Sequence, residues 1–122
     1  MNKEDYKDVY VFIEQRDGKV QPVAFELLGK ARELADALGE QVVGILAGHN
    51  LNDGQAEACI ASGADLVLVA DAPELAVYTT EPYAQTIAQV IDERKPAIVL
   101  FGATTIGRDL GPRLSARVKT GL

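Results

Sequence analysis

"DVYVFIEQRDGKVQPVAFELLGKARELADALG", residues 8–39, holds a strand, a turn and a helix in one piece, and its pattern decides the fold. "VYVFIE" is a run of β-branched and aromatic residues too short for a helix, so 8–15 reads as a strand that "RDGK" turns. From Pro22 the apolar period changes. Ala24, Leu27, Leu28, Ala31, Leu34, Ala35 and Leu38 share one helical stripe, with proline near the start and Gly39 as the stop. The strand does not alternate polar and apolar residues, which requires a sheet covered on both faces.

The same alternation continues along the chain. "QVVGILA" (41–47) is a second strand, 53–62 a short helix ended by Gly63, and "DLVLVA" (65–70) a third strand. The irregular linker "DAPELAVYTTE" leads into a helix near "PYAQTIAQVIDERK", whose Tyr83, Ile87, Val90 and Ile91 face inward. "AIVLFG" (97–102) is a fourth strand. A last helix runs to about Lys119 with Ile106, Leu110, Leu114 and Val118 four residues apart, and Gly121 closes it. Four such units predict an α/β fold, a three-layer parallel sheet with helices on both faces and right-handed crossovers. In the order 3-2-1-4, a crevice opens between the carboxyl ends of the first and fourth strands, flanked by Glu14, Gln15 and residues 102–105. The chain stops at "KTGL", where a fifth strand of such a sheet would start, so a longer protein is expected.

With 122 residues, 48% hydrophobic and 25% charged, the chain reads as one ordinary globular domain. A net charge of −6 argues against nucleic acid as a partner. No apolar run reaches the ~18 residues of a membrane span, and "MNKEDYKD" is too polar to open a secretory signal, so a cytoplasmic location is expected. One cysteine and one histidine exclude an internal disulfide and a Cys/His zinc cluster. Cys59 sits in a helical pattern and reads as a small buried residue; His49, in "GHNLNDG", reads as an exposed turn residue. The carboxyl-terminal stretch is locally basic, with Arg108, Arg113, Arg117 and Lys119 against Asp109. That pattern suits an anionic ligand or an acidic partner, and equally a helix keeping cations near its end.

"LFGATTIGRDLGPR", residues 100–113, almost fits the phosphate-binding pattern G-x-x-x-x-G-K-[ST], and its departures decide the matter. Arg108 replaces the lysine, but Asp109 puts a carboxylate where a small hydroxyl must ligate magnesium, and the motif follows the fourth strand instead of the first. A milder reading keeps Gly102, Thr104, Thr105 and Arg108 as crevice or partner-contact residues, the threonines capping the last helix and its amides favouring an anion. The threonines equally serve the helix alone. Two helix starts fit: Asp109 as cap with Pro112 in the first turn, or a start near Thr105 with a kink at Pro112. The shared stripe of Ile106 and Leu110 favours the second.

"VYVFIEQRDGKVQPVAFELLGKARELA" followed by "GATTIGRDLGPRLSARVKTGL" resembles the N-terminal domain of the electron transfer flavoprotein alpha subunit. The strand ending in Glu14, the turn at Gly18, the helix with Glu26 and Ala31, and the Gly107 to Leu110 run followed by Pro112 and Arg113 carry the likeness, which covers the whole chain. With "YTTEPYA", it is similar to the electron-bifurcating forms of anaerobes. The resemblance implies an adenine-nucleotide alpha-hydrolase-like fold for 1–122 and a heterodimer with a beta subunit. It also implies electron shuttling between acyl-CoA or other dehydrogenases and a quinone or low-potential acceptor. FAD is then held mainly by a C-terminal domain outside these residues, and AMP or a second FAD by the beta subunit. This part serves as scaffold and partner interface, through Glu14, Arg108, Asp109, Arg113 and Arg117. The residues themselves show no nucleophile and base pair, no paired carboxylates and no metal set, so catalysis is not expected of them.

Two other readings stand beside it. A stand-alone adenine-nucleotide-binding domain of the universal-stress-protein kind needs a phosphate loop such as G-x-x-G-x(9)-G-[ST] after the fourth strand, and no such pair follows Gly102. A ligand-free interaction module needs an exposed apolar patch.

Overall fold

The opening run becomes β1 (Val9–Ile13), whose five residues are all buried. A hairpin of β2 (Gln15–Arg16) and β3 (Lys19–Val20) follows, then α1 (Pro22–Leu38), β4 (Val42–Gly48), α2 (Asp53–Ala61) and β5 (Leu66–Asp71). α3 (Thr80–Arg94), β6 (Ile98–Leu100) and α4 (Thr105–Val118) complete the chain. The structure is a computed structural model that describes residues 6–118, with side chains as far as 114; Arg117, Val118, Lys119 and Gly121 of the sequence reading fall outside the side chains or residues so described.

The main sheet runs β5-β4-β1-β6 with every pair parallel, which is the expected order 3-2-1-4. Helices cover both faces. Val9, Val11 and Ile13 point toward α1 and α2, where they meet Ala24, Leu28, Ala31, Ala35 and Cys59. Tyr10 and Phe12 point the other way, toward Tyr83, Ile87 and Ile91 of α3 and Leu110 and Leu114 of α4. Period-two alternation thus feeds two cores at once, and each fully buried Leu or Ile contributes about 1.5–3 kcal/mol.

Several details differ from the sequence reading, each for a local reason. Asp17 and Gly18 have φ of 53° and 81°, which makes "RDGK" a primed two-residue turn; the paired strands either side are too short to leave a pattern. Along α1, Ala24, Leu28, Ala31 and Ala35 are fully buried, but Leu34 and Leu38 are 36% and 52% exposed, because they lie on the flank of that stripe, Leu38 at the helix's last position. β5 is not covered on both faces. It is the outer strand, α2 above it has only nine residues, and Leu66 and Val69 are left 38% and 51% exposed. The linker before α3 contains a 3-10 turn at Pro73–Leu75, and α3 begins at Thr80, earlier than expected. Among the described residues no helix is long and apolar enough to cross a membrane.

Candidate functional site

The carboxyl ends of β1 and β6 meet at one carboxylate. Glu14, immediately after β1, is only 6% exposed and is the one buried charged residue among those described. Thr104 Oγ1 donates to Glu14 Oε2 at 2.7 Å, and the Gly107 amide donates to Thr104 Oγ1 at 3.0 Å. Thr104 is therefore the cap of α4, satisfying an amide that has no partner inside the helix. This settles the two starts: the alternative with Asp109 as cap is overturned, α4 begins at Thr105, and Pro112 lies inside it with its ring at the surface.

Geometry explains why glycine stands at both positions of "GATTIG". A Cβ on Gly107 would lie 1.9 Å from the Gly102 carbonyl oxygen, and one on Gly102 would lie 2.7 Å from Glu14 Oε2 and 3.0 Å from Val23. The pair brings the first turn of α4 directly onto the end of β6. Their spacing serves close backbone approach, which is the same property that makes glycine useful in a phosphate loop.

Glu14, Gln15, Arg16, Thr104, Thr105 and Ile106 line a crevice of about 370 Å³ at the predicted place. Gly102 lies buried behind the Glu14 carboxylate, so it supports the crevice without facing it. Arg108 is exposed and turns away from the crevice, lining an apolar groove of about 540 Å³ beside Phe101, Gly111 and Pro112 along the outer edge of β6. Gln15 ties the crevice floor together, its Nε2 donating to the Ala47 carbonyl at 3.1 Å and to Tyr83 Oη at 3.0 Å.

Asp109 and Arg113 belong to a second cluster. Arg113 Nε donates to Asp109 Oδ1 at 2.8 Å, while Thr80 Oγ1 at 3.0 Å and the Tyr78 hydroxyl both donate to Oδ2. The chain before α3 is thereby latched to α4. The Arg113 guanidinium, with the two hydroxyls, holds the Asp109 carboxyl at about 2; burial, then Asp109 itself, pushes the Tyr78 phenol up to about 12. The signs are opposite at the two ends of the pH scale. Asp109 stabilises the fold above its unfolded value of ~3.9, a contribution lost as pH falls toward 2; Tyr78 stabilises it below its unfolded ~10, lost as pH rises toward 12. Tyr78→Phe should lower Tm at neutral pH by about 3 °C and flatten the alkaline limb of a Tm-against-pH curve. An alkaline limb identical to the parent's would show that the phenol does not hold the latch.

Tyr78 and Thr80 were not singled out from the sequence as site residues. Their link to Asp109 spans about thirty residues of chain, and only "YTTEPYA" as a family likeness marked them. His49 is half-buried, not exposed: its Nδ1 lies 3.3 Å from Asp71 Oδ1, and Asp71 also accepts the amides of Leu51 and Asn50, which hold its carboxyl below the usual range. Cys59 is buried as expected, and burial pushes its thiol up, away from reactivity. No group of three or more His, Cys, Asp or Glu placed to hold a metal occurs among the described residues.

Residues 9–122 match the electron transfer flavoprotein domain family. The chain is 52% identical, over its whole length, to the electron transfer flavoprotein subunit alpha of Clostridium acetobutylicum, covering 36% of that protein. It is 42% identical to the subunit LctC of lactate dehydrogenase (NAD(+),ferredoxin) from Acetobacterium woodii, again over the whole chain and 29% of that protein. It thus spans about a third of the length of these relatives. Among solved structures, a universal stress protein from Archaeoglobus fulgidus superposes with a TM-score of 0.56 at 17% identity, covering 86% of this chain and 90% of that one. That likeness bears on the fold alone.

Proposed function

The chain belongs to the electron transfer flavoprotein domain family, and on that premise we propose that it is the N-terminal domain of an alpha-type subunit. In this reading it forms a heterodimer with a beta subunit and serves as the rigid base of a carrier that moves electrons between a dehydrogenase and a quinone or low-potential acceptor. The observation that carries it is the 52% identity extending across all 122 residues to a subunit of that name. The bifurcating form is the finer proposal, supported by the relative named for both NAD(+) and ferredoxin. A cytoplasmic setting goes with it.

The family implies a flavin, and these residues do not fit one of their own. A dinucleotide needs donors facing its diphosphate, whereas here the Gly107 amide is capped by the Thr104 hydroxyl, which in turn donates to a carboxylate at the same place, that of Glu14. We therefore place the FAD on parts of the protein outside this chain, with AMP or a second FAD on the beta subunit. When bound, such a flavin supplies the redox chemistry, and the residues here position and support it.

Arg108 is the residue we assign to partner contact. It is exposed, makes no ion pair among the described residues, and borders an apolar groove, so it is available to an acidic neighbour at no internal cost. Arg113 and Asp109 flank the same helix but are held by the latch. Arg108→Ala in the full chain should weaken binding to the beta subunit about tenfold, or about 1.4 kcal/mol, with Tm unchanged. Parallel losses of affinity and Tm would remove Arg108 from the interface. The proposal as a whole is tested by purifying the protein with its natural neighbours: flavin absorption and a second subunit are expected, and a colourless single chain retaining adenine nucleotide would overturn it.

A further inference from the structure

The crevice beyond β1 and β6 has the position of a nucleotide site and the wrong charge for one. α4 has fourteen residues, and its aligned peptide dipoles place partial positive charge at Thr105 and Ile106, both of which line the crevice. In an open parallel sheet this is where an anionic ligand sits, beyond the carboxyl ends of the strands. Here an internal carboxylate is there already. Glu14 is 94% buried by its 6% exposure, it stands at the end of the central strand, and Oε2 is joined to the first turn of α4 by the continuous chain Gly107 N–H to Thr104 Oγ1–H to Glu14. The carboxylate packs against the backbone of Gly102, where a Cβ would lie 2.7 Å from that oxygen.

We infer that Glu14 is a built-in substitute for a bound anion, placed beside the first turn of α4 through Thr104 and excluding phosphate-bearing ligands from this crevice. The carboxylate and the helix terminus stabilise each other within the chain, and an incoming phosphate meets a buried like charge. Thr104 has a double part, as cap of the helix and as the donor that fixes the carboxylate. The device separates two properties that the fold ordinarily joins: the sheet keeps a nucleotide-binding architecture while the ligand site is closed by charge. The inference concerns this crevice and stands whether or not the partner reading is correct.

The test uses the full chain, with pyrophosphate as the probe and isothermal titration as the readout. The parent protein is expected to show no saturable binding. Glu14→Gln keeps an oxygen to accept from Thr104 and removes only the charge, so it should acquire saturable pyrophosphate binding at least tenfold tighter than any binding by the parent. Glu14→Asp enlarges the crevice but keeps the charge and should remain without binding. Saturable binding by the parent overturns the inference, and that measurement is read whatever the variants do. A folded Glu14→Gln without gain, or a Glu14→Asp that gains as much as Glu14→Gln, overturns it as well, the last by showing that space and not charge closes the site.

Discussion

Gly107→Ala is expected to cost about 3 kcal/mol or more of folding free energy, out of proportion to the addition of one methyl group. The new Cβ would sit 1.9 Å from a backbone oxygen, that of Gly102, and neither partner in the clash has a side chain that can turn aside. Relief requires the first turn of α4 to lift from β6, which breaks the hydrogen bond from the Gly107 amide to Thr104 and loosens Leu110 and Leu114, both fully buried one and two turns on. Gly102→Ala is the informative comparison. Its Cβ meets the ends of two side chains, Glu14 and Val23, so the neighbours can yield and the cost should be smaller. Urea unfolding of the three proteins checks the order; a Gly107→Ala variant within about 1 kcal/mol of the parent would mean that α4 slides along the sheet without penalty.

Phe12→Ala should cost about 3–5 kcal/mol, the range for an aromatic removed from a core that does not close over the gap. Phe12 is 2% exposed, with its ring centroid 6.4 Å from Tyr83 at 79° and 5.7 Å from Phe101 at 33°. It stands on β1, which is held on both sides by parallel neighbours, so the backbone beneath the cavity cannot collapse into it. Tyr83 is restrained too, by hydrogen bonds from its hydroxyl to the Leu75 carbonyl at 2.6 Å and from Gln15. Thermal or urea unfolding reads the loss directly, and a cost under about 1.5 kcal/mol would show that α3 moves inward to fill the space.

Much of this architecture was legible because it rests on short-range periodicity. The unbroken apolar runs of β1 and β4 announced a sheet buried on both faces, and the helix stripes gave the crossovers; the order 3-2-1-4 entered only as a condition, which the sheet meets. What escaped was set by neighbours far away in sequence. Leu34 and Leu38 lie on the flank of the apolar stripe of α1, and nothing local says how far round the helix its neighbours reach. The open face of β5 follows from its being outermost, a property of the sheet and not of "LVLVA". At the site, the crevice and its Glu14, Thr104 and Thr105 were placed by topology, and the capping role of Thr104 followed from helix chemistry. Gly102 and Gly107 were visible as a pair, yet their purpose was not, since "GATTIG" reads alike whether its glycines admit a phosphate or another stretch of backbone. The Tyr78, Thr80 and Asp109 latch had no local signal at all.

The position of β1 has a consequence for how the protein is made. Val9 pairs with Val42 on one side and with Ile98 on the other, so the two edges of the same strand wait very different times for their partners. At roughly 5–20 residues per second, the chain needs about 4–18 s to extend from the first of these strands to the last. For about the last 3–11 s of that interval, between the synthesis of Val42 and that of Ile98, "VYVFI" has one edge satisfied by β4 and the other open, with unpaired amides and carbonyls along it. Of these strands the earliest made is thus the last to be closed, and the seconds before β6 arrives are when this chain most needs protection from a wrong neighbour.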